Sequence, residues 1–593
     1  MKEPYRLKSS EQSKIKKNDI HFIRILYTCL ILCFTAFSAL ILILSSVPPV
    51  SRDALTHHLW VPKLYLLEGG IHELPEIIHS YYPQLLDLIY CIPLMFENDI
   101  VPKYIHFLFA LLTAFLLFLY LKRKLNPVYG FIGAFFFLTL PVIVKLSITV
   151  YVDLGLIFFS TASLLSLLKW HENRFQLKWL VCSAVFCGLA LSTKYNGLIT
   201  FFILTTFTPF LYLNGHKKIH RTEKNNQLRL FGKKRIQLKA AGYGFCFLLI
   251  SSAVFSPWMI KNYVWTQNPV YPLYDKYFNP KNKTEPANGD IEHGISHFQV
   301  RKLVYKESVW ETAMIPLRIF FQGEDDNPRL FDGRLNPLLF LLPFFAFLSA
   351  GRKTSTDGSN KKFLLLFSIL YILIVFFQTD MRIRWIGPAI PPLVILSVYG
   401  LKNIQSYLIP HRFRGRVFFN ALRRFRFLIL VLIFITASLN GIYIYRLYTQ
   451  VSPIKYITGQ ISRSEYIEKF RPEYAVIDFS NKNLQGDVKL LAFFLGNRGY
   501  YSNHPINFNY AQLKHLVRDS KTPEDILFGL KKSQYTNLII NYSHFNTWVD
   551  EEFDNTDKIK IQSFLAAHSK RLFSKNGHGL YQLVFSKDPL SKR

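Results

Sequence analysis

The chain has 593 residues, of which 50% are hydrophobic and 16% aromatic, and its mean hydropathy is +0.16. Several apolar runs reach membrane-spanning length, which excludes an ordinary soluble enzyme and indicates a polytopic membrane protein. The formal charge of +32 reads as a topology signal and not as a sign of nucleic acid, because the Lys and Arg residues gather in short segments between apolar runs.

In chain order, the basic start "MKEPYRLKSSEQSKIKKNDIHFIR" leads into an apolar run from Ile25 to about Val47. That run is too long for a signal-peptide core and lacks a small-x-small cleavage site, so a retained first span is expected. Further spans are expected near 104–121, 127–146, 153–169, 177–192, 196–213, 240–257, 336–350, 363–378, 386–401 and 427–446, about eleven with the first. The basic loops "LKRKL" (121–125), "KWHENRFQLK" (169–178), 214–239, "GRKTSTDGSNKK" (351–362) and 411–426 should face the cytoplasm together with the N-terminus. This register holds only if "PQLLDLIYCIPLMF" (83–96) does not cross. It is short and carries Asp87, so an interfacial or re-entrant helix is expected.

The outer face then receives the loop 48–103, the mouth of "TVYVDLGL", "STKYNG" (192–197), a loop over 258–335, "QTDMRIR" (378–384) and the tail 447–593. In the tail, "YAVIDFS" (474–480), "TNLIINYS" (536–543) and "GLYQLVF" (579–585) read as strands, and "GDVKLLAFFLGN" and "EDILFGLKKS" as amphipathic helices. A small α/β domain at 447–593 beside a membrane domain at 1–446 follows. All six cysteines (Cys29, Cys33, Cys91, Cys182, Cys187, Cys246) lie in apolar stretches, which argues against a disulfide framework. The chain contains no Walker loop, dinucleotide fingerprint, metal-type Cys spacing or internal repeat.

"SRDALTHHLW" (51–60) places Arg52, Asp53, His57 and His58 directly after the first span. Asp153 opens the fourth span, Lys194 sits between two closely spaced spans, and Arg382 and Arg384 precede the tenth. Cations on the outer side oppose the positive-inside tendency, and a charge near a helix centre costs about 2.5–3.5 kcal/mol. A lipid phosphate or pyrophosphate would offset that cost, and the bidentate guanidinium suits it. The competing reading is snorkelling of each long side chain to headgroups. If the phosphate is a leaving group, the cations neutralise it while a carboxylate activates the acceptor as general base. Asp53 is the base candidate. Asp153 could orient the acceptor, share the proton, bind a divalent metal or simply cap its helix. His57, His58, His79, His293 and His297 suit acceptor contacts, metal ligation or plain packing. Tyr81 and Tyr82 suit a sugar-facing wall or an interfacial aromatic belt. The acidic run "GEDD" (323–326) reads as a solvated loop that leaves metal binding open.

These segments, with "SYYPQLLDLIY", "SPWMIKNYVWTQNPVYP" (256–272), "LFDGRLNPLLFLLP" (330–343), "RWIGPAIPPL" (384–393) and the late "LFSKNGHGLYQL", resemble the GT-C superfamily of membrane glycosyltransferases. The likeness is to the bacterial branch related to protein O-mannosyltransferases and the aminoarabinose transferase of lipid A. It implies a GT-C fold and an inverting transferase that takes a sugar from a polyprenyl-phosphate lipid and passes it to a glycan, lipid or protein acceptor. The implied setting is the outer face of a bacterial plasma membrane. Asp53 would be catalytic base and Asp153 the second acidic residue, with Lys194 and Arg384 as phosphate contacts. The aminoarabinose branch has a Glu-Lys pair before its Pro-Pro, and "HSYYPQ" has neither residue, so that metal site and that substrate do not carry over. A transporter or flippase recognising lipid-linked sugars would use the same cations with little need of Asp53, and an outer-face scaffold would depend on the tail alone.

Overall fold

The computed structural model describes residues 28–216, 226–280, 296–348, 355–408 and 438–585. Among these, seven helices are long and apolar enough to cross a membrane: Thr28–Ser45, Val101–Lys124, Asp153–Glu172, Gly197–His216, Lys234–Thr266, Gly358–Gln378 and Ile383–Gln405. Pro127–Thr139 and Pro141–Ser147 form an eighth if counted together, bent by 67° where Pro141 cannot continue the helical ladder. The expected span at 177–192 is a shorter apolar helix, Leu177–Thr193, and that at 336–350 contains only the eight-residue helix Leu338–Phe345. The last expected span, 427–446, falls largely outside the described residues, and helix is described over 438–451. Leu85–Leu94 is a ten-residue helix, too short to cross, as its length and Asp87 indicate.

Helix boundaries follow local chemistry. Asn126 caps Pro127–Thr139 by accepting from the Tyr129 backbone N–H, with Pro127 at the first position. Val101–Lys124 ends in Lys122, Arg123 and Lys124, which complement the negative end of its dipole. The span Ile383–Gln405 is almost wholly enclosed by its neighbours, as expected of a helix apolar all round. Thr28–Ser45 is peripheral. Leu177–Thr193 packs closely on the long helix Asn226–Thr266, because a Cβ at Gly188 would lie 2.5 Å from the Val254 Cβ.

The tail forms a five-stranded sheet in the order β2-β1-β3-β5-β4, with β1 (Leu490–Phe493), β2 (Ile506–Asn507), β3 (Asn537–Asn541), β4 (Ser569–Lys575) and β5 (His578–Leu583). The pairs β1–β2 and β1–β3 are parallel, whereas β5 runs antiparallel to β3 and β4. Two expectations change. "YAVIDFS" is helix Tyr474–Asn483, whose Val476, Ile477 and Ser480 are buried beneath the sheet. "GDVKLLAFFLGN" holds β1, not a helix. All four β1 residues are buried, and a strand covered on both faces shows no polar alternation.

Alternate residues of the sheet face two cores. Leu491, Phe493, Leu538 and Ile540 pack against Leu513, Val517, Ile526, Leu530 and Phe564 of the flanking helices. Leu490, Ala492 and Ile539 share a cluster with Trp60, Val61 and Tyr65 of helix Trp60–Leu67. Polar bonds reinforce this seat. Lys63 Nζ donates to the Tyr500 and Ser502 carbonyls at 2.9 and 2.7 Å, the Tyr501 hydroxyl to the Pro49 carbonyl at 2.7 Å, and Arg471 Nε to the Val50 carbonyl at 2.6 Å. Arg463 Nη2 pairs with Asp99 Oδ2 at 2.5 Å. Gly499 lies flat on Trp60, since a Cβ there would sit 2.2 Å from its indole ring. Gly499→Ala should therefore loosen the seat by about 1–3 kcal/mol, the usual cost of overpacking. Limited proteolysis should release the tail faster than in the wild type, with a lowered thermal midpoint.

Candidate active site

Asp53 precedes one helical turn, Ala54–His58, and makes no capping bond there. Its carboxylate instead meets Arg384, 331 residues away, with Nη1 to Oδ2 at 2.5 Å. Segments 51–60 and 378–384 therefore lie at the same end of the helix bundle. The guanidinium also stacks over the Tyr151 ring, 5.0 Å from its centroid. Burial pushes the Asp53 carboxyl up, but the charges of Arg384, His57 and His58 outweigh it and hold the group well below the usual carboxylate range. His57 is held down by burial, then by His58 and His79, and its ring stacks on His79 at 4.1 Å. Burial and the neighbouring imidazoles thus disfavour the charged form of His57.

Asp153 is the first residue of its helix but is not its cap, which is Val152. Its Oδ1 accepts from Lys194 Nζ at 2.7 Å, while Oδ2 is buried without a partner. Behind it, His106 Nε2 accepts the Leu154 N–H at 2.9 Å, and its Nδ1 faces the Leu146 and Thr149 carbonyls at 2.9 and 3.0 Å. Only an Nδ1–H tautomer satisfies all three contacts, so His106 pins the start of the helix that carries Asp153.

A cavity of about 950 Å³ joins these groups. Asp53, His57, Tyr82, Lys194, Arg382 and Arg384 all line it. Arg382 lies 3.7 Å from Asp332 and stacks on Trp385. The Nε atoms of both Arg382 and Arg384 are buried without hydrogen-bond partners, which leaves two donors for an anion. Leu198, Phe201, Phe202, Ile374 and Val375 form an apolar wall on helices Gly197–His216 and Ser355–Gln378. From the segment 83–96, Pro83 and Asp87 line the cavity.

Other expectations are also redrawn. Asp153 is not in the lining but stands behind Lys194. Tyr81 is not a wall residue: its hydroxyl donates to Glu73 at 2.6 Å, and its ring packs on Tyr271 and Trp265. Lys261 and Asn262 donate to the Ser80 and Tyr81 carbonyls at 2.7 and 2.8 Å, fixing that turn. His58 Nδ1 lies 2.8 Å from Asp87 Oδ1 at the cavity edge. The pair was legible only as two separate polar residues in apolar surroundings. The acidic run is engaged elsewhere: Tyr443 donates to Asp325 at 2.6 Å and Lys145 pairs with Asp326 at 3.2 Å. Among the described residues no three His, Cys, Asp or Glu side chains gather so as to hold a metal ion. His293 lies outside the described residues, and His297 begins a short helix, Nε2 buried without a partner. Asn497, Asn507 and Asn509 of the tail also line the cavity, and the sequence reading missed them.

The buried Asp153–Lys194 pair is directly testable. Lys194→Met leaves Asp153 uncompensated and should destabilise the protein by about 3–5 kcal/mol. Adding Asp153→Asn should recover most of that loss in a thermal-melt comparison while leaving activity impaired.

Residues 88–228 match a family model described as dolichyl-phosphate-mannose-protein mannosyltransferase. That segment holds Asp153 and Lys194 but neither Asp53 nor Arg384. No curated protein sequence matches the chain. Among solved structures, the chain is similar over 94% of its length to ArnT from Cupriavidus metallidurans in the apo state, covering 98% of that chain at 12% identity and a TM-score of 0.53. It is likewise similar to ArnT bound to undecaprenyl phosphate, with 94% and 99% covered, 13% identity and a TM-score of 0.51. The Archaeoglobus fulgidus oligosaccharyltransferase in its apo form follows, with 94% and 75% covered, 12% identity and a TM-score of 0.46. The family model thus matches a minority of the chain, and the likeness to ArnT shows that the two share a fold.

Proposed function

We propose that the chain moves a sugar from a polyprenyl-phosphate lipid to a hydroxyl or amine acceptor, with inversion at the anomeric carbon. The setting is the outer face of a bacterial plasma membrane, with the N-terminus cytoplasmic and the domain at 447–593 outside. One observation carries this reading: Asp53 and Arg384 meet at 2.5 Å in the wall of a cavity that also holds Lys194 and Arg382 beside an apolar surface. A lipid chain lies along Phe201, Phe202, Ile374 and Val375, and its phosphate meets the cations. The solved ArnT structure bound to undecaprenyl phosphate supports the choice of donor.

In the transfer step the acceptor oxygen or nitrogen attacks the anomeric carbon. The bond from that carbon to the phosphate oxygen breaks, its electrons remain on the phosphate, and the acceptor proton passes to Asp53. Arg384, Lys194 and Arg382 neutralise the departing charge. Arg384 has a second role. Paired with it, Asp53 is a weak base, because the guanidinium stabilises the carboxylate. When the donor phosphate draws Arg384 toward itself, that stabilisation falls and the carboxylate becomes a better proton acceptor. The base is thus activated with the lipid in place, which limits wasteful proton uptake in the empty site.

Asp53→Asn should lower release of free polyprenyl phosphate from a panel of polyprenyl-phosphate sugars by about 10²–10⁴-fold. Retained transfer in that variant would favour a transporter or flippase. The pH profile gives a second check. Arg384 holds the Asp53 carboxyl below the usual carboxylate range, so the wild-type base stays ionised through mildly acidic pH. In Arg384→Gln the largest charge opposing burial is gone and the carboxyl rises, so the acid limb of kcat/KM should move to higher pH on top of a general loss of rate.

A further inference from the structure

We infer that the carboxyl ends of β1 and β2 form the acceptor subsite of this cavity, and that the acceptor is a neutral carbohydrate whose hydroxyls are read by Asn497, Asn507 and Asn509. The inference rests on the transferase reading above and names the substrate class that reading leaves open.

Three observations carry it. The first is placement. The tail contributes Gly496, Asn497, Ile506, Asn507, Phe508 and Asn509 to the cavity. Ile506 opens β2 and the other five follow or end the adjacent parallel strands β1 and β2, and loops at the carboxyl ends of parallel strands are where such sheets hold ligands. The Phe508 ring packs edge-on against Trp60, 5.6 Å between centroids, so this wall stands over the segment that carries Asp53 and His57.

The second is backbone conformation. Directly after β1, Phe494, Gly496 and Asn497 have φ of +61°, +66° and +58°. Left-handed backbone at a bulky aromatic is unfavourable by roughly 1–3 kcal/mol and persists where the surroundings enforce it, above all at ligand-contacting turns. The turn presents Asn497 at the surface of the cavity wall.

The third is chemistry. None of the six tail residues is charged; Glu76 also lines the cavity, and Arg498, whose guanidinium lies against Gly496, is neutralised by Glu473, Nε to Oε1 at 2.5 Å. Asn507 Oδ1 accepts the Asn509 backbone N–H at 2.7 Å, which sets the second loop, while Asn509 Oδ1 is buried without a hydrogen-bond partner. A carboxamide offers both donors and acceptors, which suits vicinal hydroxyls. An anionic headgroup would find here only Arg498, already neutralised by Glu473, and would meet the carboxyl of Glu76, in contrast to the Arg382–Arg384 side. A peptide adding to the sheet would need the edge strand, and β2 offers only two residues, Ile506–Asn507.

The test uses the purified full-length protein on an array of neutral oligosaccharides (glucans, mannans, galactans), acidic oligosaccharides and Ser/Thr peptides. Wild type and Asp53→Asn should both bind neutral oligosaccharides. The Asn497→Ala/Asn509→Ala double variant should bind at least tenfold more weakly at an unchanged thermal midpoint, and Asn509→Gln should recover part of the loss. With the best-bound oligosaccharide as acceptor, the double variant should raise its KM at least tenfold while kcat and acceptor-independent donor hydrolysis stay level. Absence of neutral-oligosaccharide binding, unchanged binding by the double variant, or preference for peptides or acidic chains overturns the inference. Loss of donor hydrolysis in the double variant also overturns it, by assigning the asparagines to the donor's sugar. Intact transfer in Asp53→Asn would sink the catalytic reading separately and leave the array result standing.

Discussion

Charges placed where helices end and lipid headgroups begin must be cancelled, and the ion pairs Asp53–Arg384 and Asp153–Lys194 do this here. Taking such groups out of water costs several kcal/mol per ion unless partner and hydrogen bonds are well placed. Asp153 is fully buried, so its partner is obligatory. Asp53 and Arg384 keep a face toward the cavity, and that difference separates a strut from a working pair. Lys194 belongs to both descriptions, since it supports Asp153 and still lines the cavity. The two pairs draw together the segment 51–60, the helices Asp153–Glu172 and Leu177–Thr193 and the approach to the enclosed helix Ile383–Gln405.

Around this electrostatic centre the cavity has three unlike walls: cationic, apolar and amide-rich. The proposed lipid phosphate takes the cationic and apolar walls and the proposed acceptor the amide-rich one, and the mixed lining explains why no one segment of the sequence reveals the site. The metal question falls back on residues already committed elsewhere. Asp325 and Asp326 are bonded to Tyr443 and Lys145, and Asp87 is bonded to His58.

The membrane half was the more legible part. Long apolar runs report helices directly, and basic loops report register, so the short helix Leu85–Leu94 could be separated from true spans by length and Asp87 alone. Asp53, Lys194, Arg382 and Arg384 stood out because a cation or acid at that depth is costly, and the structure gathers all four in one cavity. Tyr81 was indistinguishable from Tyr82 by sequence, since adjacent side chains diverge and only the fold decides which one faces in. β1 and the helix Tyr474–Asn483 were interchanged for one physical reason. Burial on both faces erases the alternation that marks a strand, and β-branched residues enter a helix when packing requires it. The asparagines of the tail were invisible because polar residues on loops carry no periodic signal.

The seat of the sheet on Trp60 has mechanical reach. Trp60 is separated from Asp53 by little more than the turn Ala54–His58, and the Tyr500 N–H is bonded to the Leu55 carbonyl at 3.2 Å. The tail domain therefore grips the short rod whose far end is Asp53, the proposed base. Sequence drift within the sheet's lower face would tilt that rod and detune the chemistry without touching a single membrane residue, so lineages of this chain are expected to change the two halves in concert.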